Sequence, residues 1–151
     1  MKVTLSFLVH AFETDFGGVV SNTRYFEFLE RGRYELLHRA GLPVEETWRN
    51  EGVMAIVRRV EADYLGFARH EDVLELSTWA SEWSGATAIV SHEITRPKDG
   101  ALILRAQQTI AFLNRGWKPT RVPKSYRERL GGDDRAQRRG DAEEMKTVET
   151  S

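Results

Sequence analysis

The stretch from Thr23 to Ala40, TRYFEFLERGRYELLHRA, constrains the fold more than any other part of the chain. Tyr25, Phe28, Leu29, Gly32, Leu36, Leu37 and Ala40 recur at the i, i+3, i+4, i+7 spacing that places them on one broad face of an α-helix. Ser21, Asn22 or Thr23 can supply a capping oxygen, and Gly41 followed by Pro43 is a stop signal. Gly32 stands out on the apolar face, because a glycine inside a helix costs about 1 kcal/mol against alanine. Its place there predicts a surface pressed close to the helix backbone, and a sheet would supply one.

The remaining periodicity is that of strands. Val3, Leu5, Phe7 and Val9 alternate with Thr4, Ser6, Leu8 and His10, which marks the N-terminus as a strand. It carries one lysine, a short apolar run and no small-residue cleavage site, so it does not read as a secretory signal. Further strands are expected over residues 52–65, 72–84, 86–97 and 102–114. Ser84-Gly85 and Lys98-Asp99-Gly100 supply tight turns between the later ones. One strand, a long helix and then four strands predict an α+β domain over residues 1–130 in which an antiparallel sheet of about five strands wraps the helix. From Gly131 the sequence is polar, of mixed charge and nearly free of bulky apolar groups. That composition predicts a disordered tail over 131–151.

Composition narrows the function. Twenty-two basic and 23 acidic residues leave a net charge of −1, so no overall basic field points to nucleic acid. There are no cysteines, which excludes disulfides and thiol catalysis and suits a cytoplasmic protein. No apolar run nears the roughly 20 residues of a membrane span, so no membrane insertion is expected. No nucleophile elbow, phosphate loop, dinucleotide fingerprint or H-E-x-x-H pair occurs. His10, His38, His70 and His92 lack the spacing of metal ligands, so no metal or cofactor is expected. His38 falls in the last helical turn, where it complements the dipole, and His10 and His92 fall in strands as hydrogen-bonded structural histidines.

The segment ETDFGGVVSN, residues 13–22, is the strongest candidate for chemistry. Asp15 lies in a loop leading to a helix N-terminus, where unpaired backbone N–H groups near Asn22 carry the positive end of the dipole. A carbonyl oxygen bound there would be polarised, and a nearby carboxylate could attack it or activate a water. Gly17 and Gly18 would admit a substrate close to the backbone. The same residue types also make ordinary turns, so the loop by itself leaves both readings open.

Asp15, Gly18, Val20 and Asn22 stand as D-x-x-G-x-V-x-N, followed by Tyr25, FLERGRYELLHRAGL and VRRVEADYLGFARHEDVLEL. In this order the motifs resemble the hotdog-fold acyl-CoA thioesterases of the 4-hydroxybenzoyl-CoA thioesterase class. The closing KPTRVPKSYRERL is similar to the ending of the short-chain branch associated with the Tol-Pal envelope system. The resemblance runs from about Val3 to Leu130. It implies hydrolysis of an acyl-CoA without metal or redox cofactor, in a homodimer or homotetramer with sites at subunit boundaries. It implies Asp15 as nucleophile or general base, the backbone N–H at Asn22 as the group polarising the carbonyl, and Gly17, Gly18, Val20 and Tyr25 around them. Glu13 stands where the family commonly has aspartate. Ser21, Asn22, Phe12 and Ala11 also depart from close relatives, which bears on substrate size more than on reaction type.

Other residues carry two readings each. Arg58, Arg59, Arg69 and His70 could take CoA phosphates, since arginine binds phosphate bidentately, or could be a solvated face. Glu27, Glu30 and Glu35 lie on the helix, where pairs such as Glu27–Arg31 or Glu30–Arg33 at helical spacing are expected to be surface ion pairs. Trp79, Trp83 and Trp117 could stack on adenine, or pack a sheet face. An acyl-carrier-protein thioesterase and a non-catalytic acyl-binding scaffold remain alternatives to the acyl-CoA thioesterase.

Overall fold

The computed structural model describes residues 1–131, so the expected tail lies, apart from Gly131, outside the described residues. Five strands form one antiparallel sheet: β1 (Lys2–Leu8), β2 (Met54–Tyr64), β3 (Val73–Trp83), β4 (Thr87–Arg96) and β5 (Ala101–Leu113), in the spatial order β1-β3-β4-β5-β2. Among the described residues three α-helices accompany it, α1 (Arg24–Arg39), α2 (Val44–Glu51) and α3 (Lys124–Leu130), with a short 3-10 helix at Ala11–Glu13. The α+β architecture with a long helix cradled by the sheet is the one expected, and each strand lies within two residues of its predicted bounds. The helices α2 and α3 went unread. Both follow a proline, Pro43 and Pro123, and end on a left-handed glycine, Gly52 and Gly131. Those are start and stop signals that seven or eight residues of amphipathic pattern did not make conspicuous.

α1 packs on β1, β3 and β4, with Phe28 and Leu29 wholly buried between helix and sheet. Each such side chain contributes about 1.5–3 kcal/mol relative to exposure. Gly32 meets the sheet as predicted: a Cβ there would collide with the Thr78 hydroxyl and come within 3.0 Å of Leu76 Cδ2. The helix ends where the sequence indicated, with Gly41 at φ +71° and Leu42 N–H donating to Leu37 C=O at 2.8 Å. Its start differs, for no side chain caps it; Ser21 C=O instead accepts from Arg24 N–H at 2.9 Å.

Beneath Gly32 runs a row of buried polar groups. Thr78 and His92 have no exposure and Gln108 has 3%. Thr78 Oγ1 lies 2.9 Å from His92 Nδ1, and His92 Nε2 lies 2.9 Å from Gln108 Oε1. Because the amide oxygen only accepts, Nε2 carries the proton and Nδ1 accepts from the threonine hydroxyl. Burial pushes His92 down to about 4, while Gln108 opposes the shift and Arg33 adds to it. An unfolded histidine takes up its proton near pH 6.5. Between these values the unfolded chain holds more protons than the folded one, so stability is full above about pH 6.5 and is lost as pH falls towards 4. We expect His92→Gln to lose about 2–3 kcal/mol less than the wild type on acidification from pH 7 to 4.5, measured by urea unfolding. An identical pH slope in the two proteins would contradict a neutral buried imidazole. His10, by contrast, lies beyond β1 in an exposed connection and stacks on Phe12 at 5.4 Å, so the strand placement expected for it is corrected.

Candidate active site

Residues 13–22 fold into a miniature hairpin. Thr14 bridges Val20, Asp15 N–H donates to Val19 C=O at 2.9 Å, and Gly18 N–H donates to Asp15 C=O at 3.0 Å. Aspartate first and glycine fourth are the preferences of a type I turn. Gly18, at φ +78°, then supplies the left-handed residue that closes a three-residue hairpin loop. Nothing lies within 4 Å of a Cβ built on Gly18, so conformation rather than space requires glycine there. Gly17 N–H donates to Asp15 Oδ1 at 2.8 Å. That bond fixes one carboxylate oxygen, while Oδ2 has no partner among the described residues and Asp15 is exposed.

The hairpin is fastened to the body of the protein from two sides. Val20 N–H donates to Ala68 C=O at 2.8 Å, and Val19 bridges Arg69. Arg96 clamps the 65–72 connection, its Nη1 donating to Phe67 C=O at 2.8 Å and to Asp72 Oδ2 at 3.0 Å. From below, Val20 and Tyr25 are buried in the main core cluster. Burial raises Tyr25 to about 12, with a backbone hydrogen bond at Ala68 opposing the shift, so its phenol stays protonated at neutral pH. On the other side Glu13, 3% exposed, accepts His10 N–H at 2.8 Å, and its carbonyl accepts Ser21 N–H at 3.0 Å. Glu13 is therefore a buried structural carboxylate, unlike its exposed neighbour.

With Ser21 N–H engaged, the next two backbone donors, on Asn22 and Thr23, have no partner among the described residues, and both residues are exposed. They open the positive end of α1 to solvent. Tyr64, at the end of β2, donates its hydroxyl to Asn22 C=O at 2.9 Å. That carbonyl shares its peptide plane with Thr23 N–H, so the bond both orients and polarises the donor. The result is an exposed carboxylate in the turn that leads, within seven residues, to two N–H groups unpaired among the described residues, that of Thr23 oriented by Tyr64. Such a pair stabilises negative charge developing on a carbonyl oxygen, and the carboxylate can attack the carbon or take a proton from water.

The other expected residues divide. Arg69 lies beside the hairpin and is exposed. Arg58 sits in a β-bulge of β2 on the free edge of the sheet, away from the hairpin within one chain. Glu27 pairs with Arg24 at 3.0 Å and Glu35 with Arg39 at 2.6 Å, while Arg33 turns inward to Gln108. The expected Glu27–Arg31 and Glu30–Arg33 pairs are thus absent among the described residues. No three His, Asp or Glu side chains converge as a metal site among them either. Trp79 lies under Lys2 Nζ at 4.4 Å, and Arg127 lies over Trp83 at 5.7 Å. Sequence reasoning missed Tyr64 and Arg96, whose partners are 42 and 24 residues away, beyond the reach of local periodicity.

Comparison with known proteins bears on this geometry. The chain is 30% identical over 116 residues to the acyl-CoA thioesterase YbgC of Haemophilus influenzae, covering 76% of this chain and 84% of that protein. A probable thioesterase from Bartonella henselae superposes with a TM-score of 0.75 at 30% identity, over 82% of this chain and all of that one. A 4-hydroxybenzoyl-CoA thioesterase variant solved with 4-hydroxybenzoyl-CoA superposes at 0.80, over 86% of this chain and 99% of that one. At 21% identity that last match speaks for the shared hotdog fold. A sequence model of the thioesterase-like superfamily matches residues 9–130, and the chain belongs to that superfamily.

Proposed function

We propose that this protein hydrolyses acyl-CoA thioesters to a carboxylic acid and free CoA. One observation carries the reading: an exposed carboxylate, Asp15, braced by Gly17 N–H in the hairpin that leads into the N–H groups of Asn22 and Thr23, which are unpaired among the described residues. The thioester carbonyl oxygen docks on those donors. Asp15 either removes a proton from the attacking water or attacks the carbon itself, giving an anhydride that water then opens. In both routes the C–S bond breaks, the sulfur leaves with the electron pair and takes up a proton, and the acyl group leaves as a carboxylate. Gly18 shapes the turn, and Val20 and Tyr25 support it from the core.

Free-thiol release from a panel of acyl-CoAs tests the reading, with acyl carrier protein thioesters run beside them. Release from some acyl-CoA is expected. Release from the carrier protein alone would favour the alternative, and none from either would favour a binding scaffold. Tyr64→Phe keeps the ring that packs edge-on to Tyr25 at 5.6 Å and removes only the hydroxyl. Direct loss of an oxyanion donor costs about 10²–10³ in kcat, so loss of a group that orients one should cost about tenfold, with KM little changed. A change confined to KM would assign Tyr64 to substrate binding instead.

Two subunits are part of the proposal. β2 is a free edge, Val57 and Val60 on it are each 36% exposed, and Phe16 at the tip of the hairpin is fully exposed. Pairing of β2 edges would cover these groups and bring Arg58 of one subunit towards the site of the other. There Arg58 and Arg69 would hold CoA phosphates. A monomer in sedimentation at assay concentration would refute this arrangement. The similarity to the Haemophilus enzyme and the KPTRVPKSYRERL ending support placement near the Tol-Pal-associated branch. A cytoplasmic location accords with the absence of cysteine and of any membrane-crossing helix among the described residues.

A further inference from the structure

Between Leu65 and Asp72 the chain crosses from β2 to β3 with little apolar anchorage. Of these residues only Ala68 is buried, while Leu65 and Phe67 are 54% and 71% exposed. The two ends are tied to neighbouring strands: Leu65 N–H and Gly66 N–H donate to Ile103 C=O, and Glu71 N–H donates to Val9 C=O. Glu71 holds a φ of +69°, an uncommon conformation for a residue with a side chain. One buried methyl group cannot fix the residues between these ties, so polar bonds must set their shape.

Arg96, the last residue of β4, supplies those bonds. Its Nε and Nη2 donate to Oδ1 and Oδ2 of Asp99 at 3.1 and 2.9 Å, a two-pronged grip that fixes the plane of the guanidinium. Nη1 is thereby aimed at Phe67 C=O and Asp72 Oδ2, its two acceptors in the connection. The same Asp72 oxygen accepts Arg69 N–H at 2.9 Å. That N–H shares its peptide plane with Ala68 C=O, the acceptor of Val20 N–H in the hairpin. The peptide units on both sides of Ala68 are thus held, one by Nη1 directly and one through Asp72. Next along the hairpin, Val19 bridges Arg69 and its carbonyl accepts Asp15 N–H. An unbroken set of bonds therefore runs from the β4–β5 turn to the backbone of Asp15.

We propose that Arg96 is a positioning residue for thioester hydrolysis: by fixing the two peptide units around Ala68, it sets where the Asp15 hairpin stands against the start of α1. The proposal rests on the reading of Asp15 as the reacting carboxylate. Nε, Nη1 and Nη2 are all engaged by protein acceptors, so Arg96 acts through Asp72 and Ala68 and not on the substrate.

Steady-state hydrolysis of the best acyl-CoA of the panel, well below the melting temperature of every variant, tests this together with amide hydrogen exchange by NMR. Arg96→Met should lower kcat about tenfold to a hundredfold with KM little changed, the cost of a misplaced reacting group. Arg96→Lys keeps the charge but cannot grip Asp99 and reach Phe67 and Asp72 at once, so its kcat should fall between. In an Asp15→Asn background, Arg96→Met should change the residual rate less than about twofold, because no carboxylate is left to position. The Val20 amide should exchange at least about tenfold faster in Arg96→Met, while the Ala106 amide in the middle of β5 is unaltered. Equal losses of kcat in the two backgrounds, a change confined to KM, or unaltered Val20 exchange would overturn the proposal. Should Arg96→Met not fold, Arg96→Lys carries the same comparisons. Full activity in Asp15→Asn would end the reading of the site, and Val20 exchange would then still decide whether Arg96 holds the hairpin.

Discussion

Asp15→Asn should reduce kcat for thioester hydrolysis by about two to four orders of magnitude, the contribution of a positioned carboxylate acting as base. The substitution is well matched to the question, because an asparagine oxygen can still accept Gly17 N–H in place of Oδ1. The turn, the helix start and the melting temperature should therefore stay as they are, and the loss should appear in kcat far more than in KM. Glu13→Gln is the informative comparison. Its side chain is buried and its role is to accept His10 N–H, which a glutamine oxygen can also do. Activity should survive in Glu13→Gln and fall by about two to four orders of magnitude in Asp15→Asn. Near-wild-type turnover in Asp15→Asn would end the mechanism.

The largest effect on stability should come from Gly32→Ala. Alanine gains about 1 kcal/mol of helix propensity, yet its methyl group would run into Thr78 Oγ1 and Leu76 Cδ2. Neither neighbour can yield easily, since Thr78 is bonded to His92 and both Thr78 and Leu76 are buried. Overpacking of this kind costs about 1–3 kcal/mol or more. A net loss of about 2 kcal/mol would lower Tm by about 4–8 °C in a chain of this size. Thr78→Ala removes the obstructing oxygen, so Gly32→Ala should cost less in that background. Strict additivity of the two substitutions would show that the clash is not the cause.

Much of this was legible in the sequence because it depends on local repetition. The period of the helix, the alternation of the strands and the glycine on the buried face each follow from short-range chemistry, and Gly32 even indicated the nature of its neighbour. Asp15 and the open helix start were legible for the same reason, being seven residues apart in one segment. The parts that were not legible are the long-range ones. Nothing in the local pattern of Tyr64 says that its hydroxyl reaches Asn22, and nothing in Arg33 says that it turns from Glu30 to Gln108. Helical spacing allows an ion pair at positions 30 and 33, but the polar row on β3, β4 and β5 competes for the guanidinium from the buried side. Gly18 was read as an opening for substrate, and its positive φ assigns it first to the turn.

The hairpin of residues 13–22 has a consequence for how change accumulates in such a chain. The bonds that shape it join Gly18 to Asp15, Asp15 to Val19, Ser21 to Glu13 and Arg24 to Ser21. The widest of these, from Ser21 back to Glu13, spans eight residues, so closing the loop costs little chain entropy and asks nothing of the distant sheet. The proposed catalytic pairing is therefore a cassette, self-contained in its internal angles and attached to its host by a few bonds from the 64–69 region. Insertions at Ser84-Gly85, at the opposite end of the sheet from Arg96 and the 65–72 connection, can remodel that end while the cassette keeps its shape. A lineage built this way can exchange one acyl group for another without having to reinvent the step that cleaves it.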